Sequence, residues 1–306
     1  MNYYHGGKKR GPYFEGWYLK HQTKDGKALA LIPAFHIEGT GRRSVSLQVI
    51  ADNASWWLEY PDTGFHAAEM LFQIRMEQGL FNARGVWLNV EENGLCLHGN
   101  LRYGPFTPLR SDIMGPFRFF AGMECAHGVL SMGHTLDGTL TLNGQVLDFS
   151  GGTGYLETDR GRAFPSAYLW TQCSWQEPEH VSLMLAIASI PLPVGSFTGC
   201  ICALIDQGRE YRLATYRGAR VERWSATGAV IRQGNYRLEV EVLETQALPL
   251  RAPIGGGMGR IIHESLRATL RYRFWSGGAL LLDHTDPCAS FEYVEERSHH
   301  AESTAT

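Results

Sequence analysis

The chain has 306 residues and a net charge of −3, with 44% apolar and 19% charged residues. That length holds one large domain or two of about 150 residues, and its mild acidity leaves no electrostatic footprint for nucleic acid. No apolar run reaches the roughly 18 residues a membrane helix needs, and the polar first ten residues hold no secretory core.

In chain order, Lys8-Lys9-Arg10 reads as a solvated terminus. Strand signals dominate from there on. Thr139-Leu140-Thr141-Leu142 and Gln145-Val146-Leu147-Asp148-Phe149 flank Asn143-Gly144, the strongest short hairpin signal. Tyr236–Val242 alternates apolar and polar residues. Leu266–Phe274 does the same, setting its arginines opposite Leu266, Leu270 and Phe274. Thirty-five glycines supply turns, and no long segment keeps a helical period. The expectation is an all-β, antiparallel chain.

Three short echoes suggest two similar halves. Trp17–Gln22 is mirrored by Tyr168–Gln172, Ala30–Pro33 by Ala188–Pro191, and Val45–Ile50 by Gly199–Leu204, at offsets of about 150 to 160 residues. They predict one domain over residues 1–160, a second over 161–295, and a disordered tail over 296–306. A pocket is expected in a barrel mouth or at the domain junction.

Metal chemistry finds little support. Glu124-x-x-His127 and Glu177-x-x-His180 resemble the motif of di-iron bundles, but neither lies in a helical pattern and Pro178 interrupts the second. His263-Glu264 lacks the second histidine of a zincin motif. Cys200-x-Cys202 reads as a pair of small buried hydrophobes on one strand face, and the six scattered cysteines suit a reducing, cytoplasmic setting. Gly255-Gly256-Gly257 reads as a turn, and there is no Gly-x-Ser-x-Gly elbow.

The acids are more informative. Glu15, Glu124, Glu157 and Asp159 sit among aromatic and apolar residues, with His127 close to Glu124 in sequence. A carboxyl in an apolar pocket has its pKa raised and stays available as a proton donor near neutrality. We therefore expect Glu124 or Asp159 to donate a proton and His127 to orient or recharge the donor. Trp17 and Trp170 are expected in the core or the pocket wall.

At these residues the chain resembles the tocopherol cyclase family. The pieces that carry the resemblance are Pro12–Lys20 with its Glu15-Gly16-Trp17-Tyr18, Met123–Gly128 with Ser131, Asp148–Glu157, Phe164–Gln172, Ala214-Thr215-Tyr216, and Ala252-Pro253 with Gly257-Met258. They span about residues 11–293. Where the family reads Glu-Lys-Asp-Trp-Gly, this chain has Glu157-Thr158-Asp159-Arg160-Gly161, which keeps both acids. The resemblance implies two lipocalin-like β-barrels with a hydrophobic pocket, related to carotenoid hydratases. The implied activity is a cofactor-independent, acid-catalysed closure of a chromanol ring on a prenylated hydroquinone. Within that activity Glu157 and Gln172 would bind quinol hydroxyls, Trp17, Tyr155 and Trp170 would wall the cavity, and Glu15 would join the substrate site. No metal and no cofactor are expected. The expected partner is a lipophilic small molecule, collected through a transient membrane-surface contact. The alternatives are a lipocalin-like carrier and a hydratase acting on a related alkene.

Overall fold

The computed structural model describes residues 3–120, 123–175, 180–191 and 194–295. Glu177 and the tail expected at 296–306 lie outside them. The chain forms two antiparallel sheets. The first holds β1 (Tyr13–Gln22), β2 (Ala28–Ile37), β3 (Arg43–Ala51), β4 (Ser55–Pro61), β5 (His66–Ala67), β6 (Gln73–Met76), β7 (Gly79–Asn82), β8 (Gly85–Glu92), β9 (Leu95–Tyr103), β10 (Cys125–Leu142), β11 (Gln145–Asp148) and β12 (Thr153–Gly161). The second holds β13 (Tyr168–Trp175), β14 (Val181–Pro191), β15 (Ser196–Asp206), β16 (Arg209–Ala214), β17 (Arg220–Ser225), β18 (Gly228–Gln233), β19 (Tyr236–Glu244), β20 (Leu248–Ile254), β21 (Gly257–Ser276) and β22 (Ala279–Val294).

The two sheets repeat one topology. The first runs β4-β3-β2-β1-β12-β10-β9-β8-β7 before adding β6 and β5; the second runs β16-β15-β14-β13-β22-β21-β19-β18-β17. In each, the last strand pairs beside the first. Among the described residues no ladder joins the two ends of either sheet. No helix of the described residues is long and apolar enough to cross a membrane. All six cysteines are free.

Turn chemistry fixes the hairpins. Asn143 (φ 47°) and Gly144 (φ 83°) join β10 to β11, and Gly255 (φ 58°) and Gly256 (φ 83°) join β20 to β21. Both two-residue turns need positive φ at their two central positions, as hairpins with right-handed strand twist do.

Each sheet buries one face in its own core. Trp17, Leu19, Leu31, Leu47 and Leu156 belong to the first core. Leu169, Leu185, Cys200, Cys202 and Leu270 belong to the second. The opposite faces of the same strands meet in a third apolar layer between the sheets, where Tyr18, Ala30, Tyr155, Trp170, Met184 and Ala203 pack. This explains why β1, β2 and β13 are buried at nearly every position: both of their faces are covered. The alternation of Leu266–Phe274 is interrupted by bulges between Ser265 and Leu270. Leu266 consequently packs between the sheets while Leu270 enters the second core. Polar links tie the layers. Gln48 exchanges two hydrogen bonds with the Arg251 backbone at 2.8 and 2.9 Å, and Lys20 Nζ donates to Cys288 O at 2.6 Å.

Candidate active site

A cavity of about 170 Å³ opens within the layer between the sheets. A single water needs only about 10–15 Å³ by the same kind of measure, so the space suits an organic guest. Phe14, Met114, Phe117, Phe164, Tyr168 and Trp170 supply much of an overwhelmingly apolar wall. The connection between β9 and β10 helps cover it. Arg212 donates to the carbonyls of Ser111 and Asp112 at 3.1 Å, and Tyr216 OH donates to Ile113 O at 2.9 Å, holding Met114 and Phe117 over the space.

Strand register assembles the polar part of the first wall. Asp159 on β12 pairs with His127 on β10 and with Gly16 on β1; Glu157 pairs with Val129 and Tyr18. Residues two apart share a face, so Glu157 and Asp159 both point away from the first core. His127 Nδ1 lies 2.9 Å from Asp159 Oδ1, and Nε2 lies 3.3 Å from Glu157 Oε2 without hydrogen-bond alignment. Tyr155 OH donates to Glu157 Oε2 at 2.5 Å. Gly16 contributes no side chain, which leaves room beside Asp159.

The second wall adds an acid. Glu292 on β22 pairs with Trp170 on β13 and lines the cavity, and Tyr168 OH donates to its Oε2 at 2.6 Å. The charges of Glu157 and Asp159 act on Glu292, so the two walls bring their carboxyls to one space.

Burial sets the ionisation of these groups. It pushes Glu157 up out of the usual carboxylate range; the His127 charge pulls it back, and Asp159 pushes it up again. Burial pushes Glu292 up as well, against the stabilising hydrogen bond from Tyr168. For His127, burial alone would lower the pKa, but Asp159 and Glu157 outweigh it and raise it to about 9. Near neutrality the site holds an imidazolium beside Asp159, a Glu292 carboxyl that retains its proton, and a Glu157 carboxyl poised between its two forms. Trp170 Nε1 biases Glu157 toward ionisation, yet its alignment falls short of a hydrogen bond.

His127, Glu157 and Asp159 can each place one ligand atom within 4.8 Å of the others, as a metal site would. The two imidazole nitrogens face different carboxylates, however, so the ring bridges the acids instead of sharing one vertex with both. A cation on Nε2 would have Glu157 as its one further chain ligand from this trio, short of the three protein ligands a catalytic zinc keeps.

Of the residues expected from sequence, His127, Glu157, Asp159 and Trp170 line the cavity, and Tyr155 stands behind Glu157. Four others lie elsewhere. Glu124 is half-buried outside the wall, where its carbonyl accepts from Arg162 N at 2.8 Å. Glu15 is fully buried and accepts from His5 N, Gly6 N and Tyr13 OH at 2.9–3.0 Å, so it fastens the N-terminal segment. Trp17 sits in the first core because its parity on β1 is opposite to that of Tyr18. Gln172 is buried and donates to Ser174 Oγ at 2.8 Å. Sequence reasoning missed Glu292, Tyr168 as its donor, and His36. The last lines the cavity with Nε2 2.7 Å from Ser46 Oγ, and burial lowers its pKa to about 3, which keeps it neutral.

Two lipocalin-like antiparallel sheets enclosing an apolar, acid-bearing cavity define the class. No family model and no curated protein sequence matches the chain. Solved structures do share its fold. CghA with Sch210972 superposes with a TM-score of 0.55 at 12% identity, covering 93% of this chain and 88% of that one. An AttH-like protein from Nitrosomonas europaea gives 0.54 at 14%, covering 92% and 90%. Kievitone hydratase from Nectria haematococca gives 0.53 at 10%, covering 92% and 88%.

Proposed function

We propose that the protein is an enzyme that catalyses proton transfer to a lipophilic alkene without a cofactor, closing a chromanol-type ring on a prenylated hydroquinone. One observation carries this reading: Glu292, a carboxyl that burial keeps protonated near neutrality, stands across one aromatic cavity from Glu157, which the His127 charge pulls back toward ionisation. A protonated acid in a dry, apolar site is what alkene protonation requires. Relative to the sequence expectation, the donor moves from Glu124 or Asp159 to Glu292.

In the proposed cycle Glu292 gives its proton to the prenyl double bond, and the tertiary carbocation forms against the faces of Trp170, Tyr168 and Phe164. Aromatic faces stabilise such charge. The neighbouring phenolic oxygen adds to the cation, and its proton leaves to the ionised fraction of Glu157. Asp159 holds the His127 imidazolium beside Glu157, which favours that base in its charged form until it takes the proton. A proton passed from Glu157 back to Glu292 closes the cycle. Atoms balance: the product is an isomer of the substrate.

The resemblance to tocopherol cyclases and the shared fold of kievitone hydratase support chemistry at a double bond. The latter also favours a second reading, in which water captures the cation. Incubating the protein with a geranylated hydroquinone and analysing by mass spectrometry separates the outcomes. An isomeric chromanol supports cyclisation, and a gain of one water supports hydration. Binding without product supports a carrier and defeats the enzymatic reading.

A further inference from the structure

The proposed acid Glu292 has a hidden neighbour. Glu264 on β21 is its direct cross-strand partner, and both are buried. Opposed residues on an antiparallel pair hold their Cβ atoms about 4.5–5.5 Å apart on one face, where two like charges oppose each other. Glu264 does not line the cavity. Its Oε1 accepts a short hydrogen bond from Tyr18 OH, which also lies 3.0 Å from Ser290 Oγ. Its Oε2 is buried with no partner among the described residues. A buried carboxylate with one bare oxygen beside a second carboxyl is unstable as an anion.

We propose that Glu264 is a positioning residue that forms a proton-sharing carboxyl pair with Glu292, so that Glu292 meets the guest as an acid. The inference rests on the reading of Glu292 as the donor. The groups facing the pair are consistent with it. Tyr18 and Lys20 face Glu264 from β1, while Tyr168 faces Glu292 from β13, Glu157 and Asp159 face it from β12, and Arg260 faces it from β21. Lys20 gives its hydrogen bond to the Cys288 carbonyl, so it does not form an ion pair with either acid. Burial, with the Glu292 charge added, pushes Glu264 well above the usual carboxylate range. Two adjacent buried acids cannot both ionise easily, which is how carboxyl dyads keep a proton. The two tyrosines remain donors throughout, because burial raises both phenols further.

The test follows the carboxylic-acid C=O stretch of Glu292 in the infrared, assigned by its loss in Glu292→Gln, as pH is raised. It needs no turnover, so its outcome is separate from the fate of the enzymatic reading. In Glu264→Gln the Glu292 midpoint should fall by about one pH unit or more, a tenfold change in proton affinity, and the pH profile of any turnover should move with it. Tyr18→Phe, which leaves Glu264 in place but removes its donor, should leave the Glu292 band protonated at neutral pH. An unchanged Glu292 midpoint in Glu264→Gln overturns the proposal. So does a Glu292 that is ionised at neutral pH in the wild-type protein.

Discussion

Glu15 and Glu292 are both buried carboxyl groups in aromatic surroundings, and they have opposite uses. Glu15 accepts from two backbone N–H groups and from Tyr13 OH, and His5 Nδ1 lies 2.8 Å from its second oxygen. Glu292 receives one donor, faces a cavity, and has further acids as neighbours. Hydrogen bonds to a carboxylate stabilise its charge, whereas burial without them favours the neutral acid. Burial alone therefore does not make a reactive acid; burial with few donors, beside open space, does.

The largest expected effect is on chemistry. Glu292→Gln should lower turnover at least about 100-fold, the usual contribution of a general acid, while calorimetric titration shows ligand affinity within a few fold of wild type. Glu15→Gln should do the reverse. It faces the amide NH₂ toward existing donors and should cost about 2–4 kcal/mol in denaturant unfolding, with turnover per folded molecule unchanged. Were the two substitutions to have the same signature, the distinction between the acids would collapse.

A smaller effect separates the two kinds of buried titrating group by pH. Glu157, Glu264 and Glu292 bind protons more tightly folded than unfolded, so the stability they confer is present at acid pH and lost as pH rises through their raised values. His127 adds to this limb, since its contribution fades as pH passes about 9. His21, His36 and His134 are buried neutral, with pKa values lowered to about 4, 3 and 3; their stability is lost as pH falls below the unfolded value of 6.5. Thermal unfolding should accordingly peak near about pH 6 and fall by several degrees toward pH 9. The alkaline fall should flatten in the Glu264→Gln, Glu292→Gln double variant, and an equally steep fall there would contradict the assignment.

The mildest prediction concerns space. A Cβ at Gly16 would meet Ala34 Cβ at 3.4 Å, an ordinary contact. Gly16→Ala should leave stability within about 1 kcal/mol but weaken ligand binding severalfold by intruding beside Asp159. Unaltered affinity would place the guest elsewhere.

Much of the fold was legible because it follows local rules. Asn143-Gly144 and Gly255-Gly256 dictate their turns, and Cys200 and Cys202 share a strand face and a core. The short echoes between the halves fall on β1 and β13, β2 and β14, and β3 and β15, which occupy equivalent places in the two sheets. The site was legible where spacing alone sufficed: Glu157 and Asp159 two apart on one strand, with His127 brought alongside by pairing. It failed where parity or partner decided. Trp17 and Tyr18 are adjacent aromatics, and which of them enters the core depends on the sheet's orientation. Glu292 sits between Phe291 and Tyr293 near the end of the last strand, where a lone acid reads as the solvent face of a half-exposed strand. The available signal was that β2 is apolar on both faces, which implies a covering second sheet and makes an acid facing that layer suspect.

The most direct measurement runs the reaction in D₂O with a geranylated hydroquinone and locates deuterium in the product. If the cavity acid protonates the double bond, the chromanol carries one deuterium on the carbon adjacent to the new ether carbon, and Glu292→Gln forms it at least about 100-fold more slowly. A product without carbon-bound deuterium, or equal yields from the two proteins, would contradict proton transfer from this site.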